Sequence, residues 1–432
     1  MANQIVHRAA CFRGKPNIPG DKSISHRALI LGALSEGRTE ITNILTGGDV
    51  QSTARCLGDL GVSIIRSGAS DGTTLTTVEG LGVKGFTSPV RVLDCGNSGT
   101  TIRTLMGVLA GGDITATLSG DASLVRRPMR RVAAPLLLMG ARIELTADDY
   151  APLTIQGSKL HGINYSLPVA SAQLKTAVLL AGLLAEGVTR ITGQIDSRDH
   201  TERMLRHFGA KLQESSSELS ITGGQTLVAN RVLVPGDPSA TAFWLAAACL
   251  VPGAHLRLEN ISLNFTRIGF IRALQRMGAN IVVELESEVP EPVGCIEARF
   301  SNLKGIRVTV SEIPALIDEL PMLAVLASQA VGETVVEGAE ELRVKESDRI
   351  EAVAVNLRAM GASIETRKDG FTLAGRQSLR GTDIRSFHDH RIAMAFSIAG
   401  LVAEGDTTIH DAECVGISYP EFFATLERLC RP

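Results

Sequence analysis

Six stretches of the chain stay apolar for two helical turns or more: HRALILGALSEG from His26, TIRTLMGVLAGG from Thr101, QLKTAVLLAGLLAEG from Gln173, TAFWLAAACLVPG from Thr241, LPMLAVLASQAVG from Leu320 and RIAMAFSIAGLVAEG from Arg391. They are apolar nearly all round, which predicts helices buried on every side. Each runs to a Gly and then into an alternating strand, such as RTEITNI, VTRITGQI, HLRLENI, ETVVEGA or DTTIHDA. A second family of helices follows. LGDLGVSI from Leu57, LLLMGARI from Leu136, LRHFGAKL from Leu205, LQRMGANI from Leu274 and LRAMGASI from Leu357 all read as amphipathic helix ends closed by Gly and followed by a strand. LERLC from Leu426 is a truncated sixth copy.

The order of elements therefore repeats: buried helix, strand, amphipathic helix, strand, and usually a further hairpin. One unit takes about 70–80 residues and occurs six times. At 432 residues the chain exceeds one small core, and six units divide into two domains of three. The predicted fold class is α/β, with sheets covering the buried helices.

Composition narrows the function. Formal net charge is 43 − 46 = −3, and only 4% of residues are aromatic. That disfavours a nucleic-acid surface, although RRPMRR from Arg126 is a local basic run. The seven cysteines are scattered, with no CxxC pair, so free thiols in a reducing compartment are expected rather than disulfides or zinc. The N-terminus lacks an apolar signal-like core, and no run is long enough to span a bilayer. A cytoplasmic enzyme or binding protein is expected.

The starts of the buried helices carry the chemistry. They read GDKSISHR from Gly20, DCGNSGTTIR from Asp94, PVASAQLK from Pro168, PGDPSATAF from Pro235, SEIPALIDELP from Ser311 and SFHDHR from Ser386. Capping explains Ser171 and Ser239. It does not explain Lys22, Arg27, Arg103, Gln173, His390 or Arg391, and a cation at a helix N-terminus opposes the macrodipole. A bound anion reverses that cost: a helix end contributes about 0.3–1 kcal/mol and a charge-assisted hydrogen bond about 1.5–3 kcal/mol. Further cations stand at GDASLVRRPMRRV, where Pro128 reads as a first helical residue, at DSRDHTERML, and at ELRVKESDRIEAV. The pattern predicts recognition of small anions.

GDKSISHR, GNSGTTIR, RRPM, SAQ, KESDR and DHRIAM, in this order along the whole chain, resemble the 5-enolpyruvylshikimate-3-phosphate synthase family. The resemblance implies a two-domain inverse αβ barrel-like fold with three repeat units per domain. The domains would be 1–20 with 237–432, and 21–236, with the active site in the cleft between them. It implies transfer of the enolpyruvyl group of phosphoenolpyruvate to the 5-hydroxyl of shikimate 3-phosphate, with release of phosphate through a tetrahedral intermediate.

By the same resemblance Asp318 is the base, Glu346 handles a proton at the methylene carbon, and Lys22 binds phosphoenolpyruvate and shuttles a proton. Lys22, ringed by cations, is expected to have a lowered pKa. Phosphoenolpyruvate would meet Lys22, Gly99, Arg127, Gln173, Arg349, His390 and Arg391. Shikimate 3-phosphate would meet Lys22, Ser23, Arg27, Ser171, Ala172, Gln173, Arg198, Asp318 and Lys345. No cofactor, metal, nucleic acid or membrane is implied, nothing demands an oligomer, and a monomer is expected. Glyphosate would occupy the phosphoenolpyruvate site, with Gly99 leaving room for it. Lys22→Ala and Glu346→Ala are expected to lose most turnover, and Glu319→Ala to keep it. Some family members carry a lysine near the aromatic-Pro of the last motif. Here Ile417 or Ser418 stands there, so the resemblance does not supply that contact. A sister family that transfers enolpyruvyl to UDP-N-acetylglucosamine, and nucleic-acid-end processing proteins on a similar repeat, are the alternatives.

Overall fold

A computed structural model describes residues 3–68, 74–82 and 85–431. Among these residues there are thirteen α-helices: α1 Lys22–Leu34, α2 Gly48–Asp59, α3 Gly99–Leu109, α4 Arg130–Leu138, α5 Ala172–Leu184, α6 His200–His207, α7 Pro238–Leu250, α8 Gly269–Arg276, α9 Ile313–Leu316, α10 Leu320–Gln329, α11 Arg349–Ala359, α12 His390–Gly400 and α13 Phe422–Cys430. The chain divides into two compact units. One is continuous, Gly20–Val234; the other joins Met1–Pro19 to Pro235–Pro432.

The continuous unit holds three sheets with one wiring. In its second sheet Leu93–Asp94 lies parallel to Thr115–Ser119 after the crossover through α3. Thr115–Ser119 then pairs antiparallel with Tyr150–Gln156, whose hairpin partner is Arg142–Thr146. Asn164–Leu167, Val188–Gly193, Leu219–Thr222 and Leu212–Glu214 repeat that order around α5. Around α1 the incoming parallel strand comes from the unit's far end, at Arg231–Leu233. A parallel pair needs such a crossover, and here the crossover helix is the buried one.

The discontinuous unit has the same wiring with a different closure. Arg13–Gly14 supplies the parallel strand beside His255–Ser262, and Gln4–Val6 closes the last sheet antiparallel to Thr407–His410. Its single Trp, Trp244 on α7, is buried and donates through Nε1 to Tyr419 Oη at 3.2 Å. Tyr419 in turn donates to the Asn17 carbonyl at 2.6 Å, tying the N-terminal segment to the C-terminal one.

Both kinds of helix follow from their sequences. All thirteen residues of α7 are buried, and so are eleven of thirteen in α1. Small residues let such helices approach: a Cβ on Gly107 of α3 would lie 2.4 Å from the Ala177 carbonyl of α5. The amphipathic helices α2, α4, α6, α8 and α11 end in one shared closure. Val62, Ala141, Ala210, Ala279 and Ala362 each donate N–H to the carbonyl five residues back, at 2.9–3.0 Å. The glycine before each has φ between 83° and 100°, which a Cβ would oppose.

Three local expectations change. The buried helices stop before their Gly: α5 ends at Leu184 and Gly187 supplies the left-handed turn after it. Pro128 does not open α4, which begins at Arg130, where Asp149 accepts the Arg130 N–H at 3.0 Å. Ser239 is not a cap. Asp237 caps α7, leaving the Ser239 hydroxyl to make another bond.

Candidate active site

In the continuous unit the capping residue of α1 is Asp21, whose carboxylate accepts the Ile24 N–H at 2.9 Å. Lys22 and Ser23 are thereby the first helical residues. Lys22 Nζ lies 3.1 Å from Asp49 Oδ2, in the first turn of α2. One partner of Lys22 is thus a carboxylate that the sequence did not lead one to expect. Arg27, one turn further along, is buried and held on three sides. It donates to Thr201 Oγ1 at 2.7 Å, to Thr176 Oγ1 at 2.8 Å and to the Ser23 carbonyl at 2.8 Å. Arg198 Nη1 reaches Ser23 Oγ at 3.5 Å.

Side-chain hydrogen bonds join α1, α2 and α3 near Lys22. His26 Nδ1 meets Thr53 Oγ1 at 2.7 Å, Thr53 meets Thr101 Oγ1 at 2.7 Å, and Thr101 donates to Ser98 Oγ at 2.8 Å. Burial, then Lys22 and Arg27, holds the His26 pKa well below its ordinary value, so the ring is neutral at pH 7. Ser98 caps α3 and places Gly99 first in that helix. A Cβ on Gly99 would stand 3.1 Å from Arg103 Nη1 and 3.4 Å from Arg127 Nη1. Arg103 donates to Gln173 Oε1 at 2.7 Å, and Gln173 donates to Thr100 Oγ1 at 3.1 Å. Arg127 donates to Asn97 Oδ1 at 2.8 Å. Ser171 caps α5 by accepting the Leu174 N–H, which makes Ala172 its first residue.

In the discontinuous unit the cluster is built on one guanidinium. Arg349, 1% exposed, lies 2.7 Å from Glu346 Oε2, 2.8 Å from Asp389 Oδ2 and 3.2 Å from Asp318 Oδ1. Burial opposes its charge, but Asp389, Glu346 and Asp318 outweigh that and raise its pKa. Asp389 is buried too. Burial is the largest influence and pushes its carboxyl up, but Arg349 and His390 together outweigh it and leave it below the ordinary carboxylate range. Asp389 also caps α12, accepting the Arg391 N–H at 2.9 Å, so His390 and Arg391 open that helix. The two residues before the cap, Phe387 and His388, both have φ of 55°, a strained conformation for side chains of that size. Lys345 Nζ stands 3.9 Å from Asp318 Oδ1, and burial, with Arg349 nearby, lowers its pKa.

Asp318 and Glu319 share a 3-10 turn ahead of α10 and both reach Arg391, but their other partners differ. Asp318 faces Arg349 and Lys345, with Arg391 Nη2 at 3.7 Å. Glu319 is turned inward, 3% exposed, accepting from Ser239 Oγ and pairing with Arg391 at 3.3 Å. Arg267 backs Ser239 at 2.9 Å and pairs with Asp237 at 3.1 Å.

Within the continuous unit, then, Ser23, Arg27 and Arg198 form one linked set beside Lys22, and Gly99, Arg127 and Gln173 stand with Arg103 at the start of α3. Within the other unit Asp318, Lys345, Glu346, Arg349 and Arg391 are one ionic cluster, with His390 beside Arg391 in the first turn of α12. Asp49, Glu319, Asp389 and Arg267 were not expected from the sequence, and Arg103 was expected only as a helix-start cation. Asp389 was findable, as the Asp before a basic helix start. Nothing in TGGDV links Asp49 to Lys22. Among the described residues, no group of three or more His, Cys, Asp or Glu is arranged to hold a metal ion.

A sequence profile of the EPSP synthase (3-phosphoshikimate 1-carboxyvinyltransferase) family matches residues 7–426. A 3-phosphoshikimate 1-carboxyvinyltransferase of Bacillus cereus is 48% identical over 422 residues, covering 97% of each chain. One from Bacillus anthracis is 47% identical over the same length. An EPSP synthase structure from Acinetobacter baumannii superposes with a TM-score of 0.87 at 42% identity, covering 99% of this chain and 98% of that one.

Proposed function

The chain belongs to the EPSP synthase family and works as a 3-phosphoshikimate 1-carboxyvinyltransferase, and we propose that the residues of the two clusters described above carry that reaction. In the first step the 5-hydroxyl oxygen of shikimate 3-phosphate bonds to C2 of phosphoenolpyruvate. The hydroxyl loses its proton and the C3 methylene gains one. In the second step the C2–O bond to phosphate breaks and the new methyl returns a proton. Both steps need a positioned acid and base, and cations for the phosphates and the carboxylates.

Asp318 takes the hydroxyl proton. Glu346 delivers a proton to C3 and recovers it. Lys22, Arg127, Arg349 and Arg391 hold phosphoenolpyruvate, with Gln173, His390 and the Gly99 backbone beside it. Ser23, Arg27, Ser171, Ala172, Gln173, Arg198 and Lys345 hold shikimate 3-phosphate together with Lys22 and Asp318. The observation that carries this reading is the buried Arg349 guanidinium, which binds Asp318 and Glu346 at once and so fixes the two proposed acids relative to each other. We further propose that the protein acts as a cytoplasmic monomer and that glyphosate competes with phosphoenolpyruvate. The test is phosphate release: shikimate 3-phosphate and phosphoenolpyruvate together should release it, and either alone should not. Release from phosphoenolpyruvate alone would overturn the reading.

A further inference from the structure

Behind the shikimate 3-phosphate half-site lies a buried ion pair with no part in the steps above. Lys175, 3% exposed, sits one turn into α5, and its Nζ is 2.6 Å from Glu202 Oε1 on α6. It also donates to the Ile195 carbonyl at 3.1 Å and the Ser197 carbonyl at 3.3 Å. All three ammonium protons are thus accounted for. Glu202 is 2% exposed, and its Oε2 has no hydrogen-bond partner among the described residues. Burial pushes the Glu202 carboxyl up from its ordinary range, against the pull of Lys175. A buried ion pair is weak evidence for stability as such, because desolvation offsets most of the attraction. Its geometry says what else it does.

Ile195 and Ser197 belong to the irregular segment between Val188–Gly193 and α6, and the next residue is Arg198. The neighbours of the pair matter equally. Thr176 follows Lys175 and Thr201 precedes Glu202, and these two hydroxyls, 2.6 Å apart, receive Arg27. Two adjacent residues on each helix therefore fix both cations: the threonines hold Arg27 directly, and the ion pair holds the backbone that presents Arg198. We propose that Lys175 and Glu202 are positioning residues, a latch that sets the loop bearing Arg198 for shikimate 3-phosphate. The proposal rests on the assignment of Ser23, Arg27 and Arg198 to that substrate.

The test separates positioning from stability. Lys175→Met alone leaves a buried carboxylate unpaired, so the informative variant is Lys175→Met with Glu202→Leu, which removes both charges. It should unfold cooperatively within a few degrees of the parent. Its KM for shikimate 3-phosphate should rise roughly tenfold, with kcat and the KM for phosphoenolpyruvate changed by about threefold or less. Lys175→Gln, which keeps amide N–H donors but no charge, should fall between, and serves if the double variant folds poorly. An unchanged KM in either folded variant overturns the latch. Arg198→Ala is the control for the underlying assignment. If it raises that KM while the latch variants do not, the latch alone is wrong. If neither does, the half-site assignment falls and the latch with it.

Discussion

Lys22 Nζ and Asp49 Oδ2 face each other at 3.1 Å from the first turns of two different helices, largely shielded from water. Two helix N-termini favour the carboxylate, and the carboxylate holds the ammonium that the macrodipole of α1 would otherwise repel. If Lys22 works on the substrates and Asp49 only aims it, the two substitutions rank. Lys22→Ala should lower kcat by roughly a thousandfold or more, and Asp49→Asn by roughly tenfold, because the ammonium survives. Steady-state kinetics decide. Equal losses would mean that the pair acts as a single structural unit.

Arg349→Met should destabilise the protein by about 3–5 kcal/mol, because Asp389 is left buried without its principal counter-charge. The pH dependence should change too. In the parent Asp389 sits below its unfolded pKa of about 3.9, so its stabilising contribution is present at neutral pH and lost only as pH falls through the depressed value. In the variant burial dominates and the folded pKa lies above the unfolded one, so acidification relieves the charge. The gap in melting temperature between parent and variant should narrow from pH 7 to pH 4. A constant gap would contradict the assignment of that charge.

Lys345 predicts an alkaline limb. Burial lowers its pKa, so it loses its charge below the ordinary lysine value of about 10.4. An anion binds the charged form, so the KM for shikimate 3-phosphate should climb with pH before a normal lysine would titrate. Lys345→Arg should flatten that limb even if it weakens binding. A limb that persists in the variant belongs to another group.

Gly99→Ala should act on phosphoenolpyruvate. The added methyl meets the tips of Arg103 and Arg127 at 3.1 and 3.4 Å, so the guanidiniums must move by a few tenths of an ångström. We expect the KM for phosphoenolpyruvate to rise roughly tenfold, the KM for shikimate 3-phosphate to hold, and inhibition by glyphosate to weaken more than either. Competitive inhibition measured against phosphoenolpyruvate in both proteins tests this.

Glu319→Ala reverses an expectation drawn from the chain alone. Glu319 is buried and bonded to both Ser239 and Arg391, so removing it leaves a hydroxyl and a guanidinium to find new partners. Loss of stability by about 2–4 kcal/mol and a higher KM for phosphoenolpyruvate are expected. Wild-type thermal stability and kinetics would restore the original view that this residue is dispensable.

The last case shows where sequence reading stops. The buried helices, their charged starts and the five glycine closures are local signals, because each rests on periodicity or on a residue needing positive φ. Which of Asp318 and Glu319 faces inward is not local. They are adjacent, chemically alike and in one 3-10 turn, and the choice is made by Ser239 and Arg391 far along the chain. Asp49 was hidden for the same reason. So was the pairing of Gln4–Val6 with Thr407–His410, because a short edge strand carries no mark of its partner.

That last pairing sets a timetable. The unit from Gly20 to Val234 contains all its own strands, and it can be complete while the rest of the protein is still being translated. The other unit cannot. Its strand Gln4–Val6 has no edge to join until residues 407–410 have been made, some four hundred residues later. A nascent chain on the ribosome therefore carries a finished half and a waiting strand, and the second half closes only when that strand's distant partner arrives.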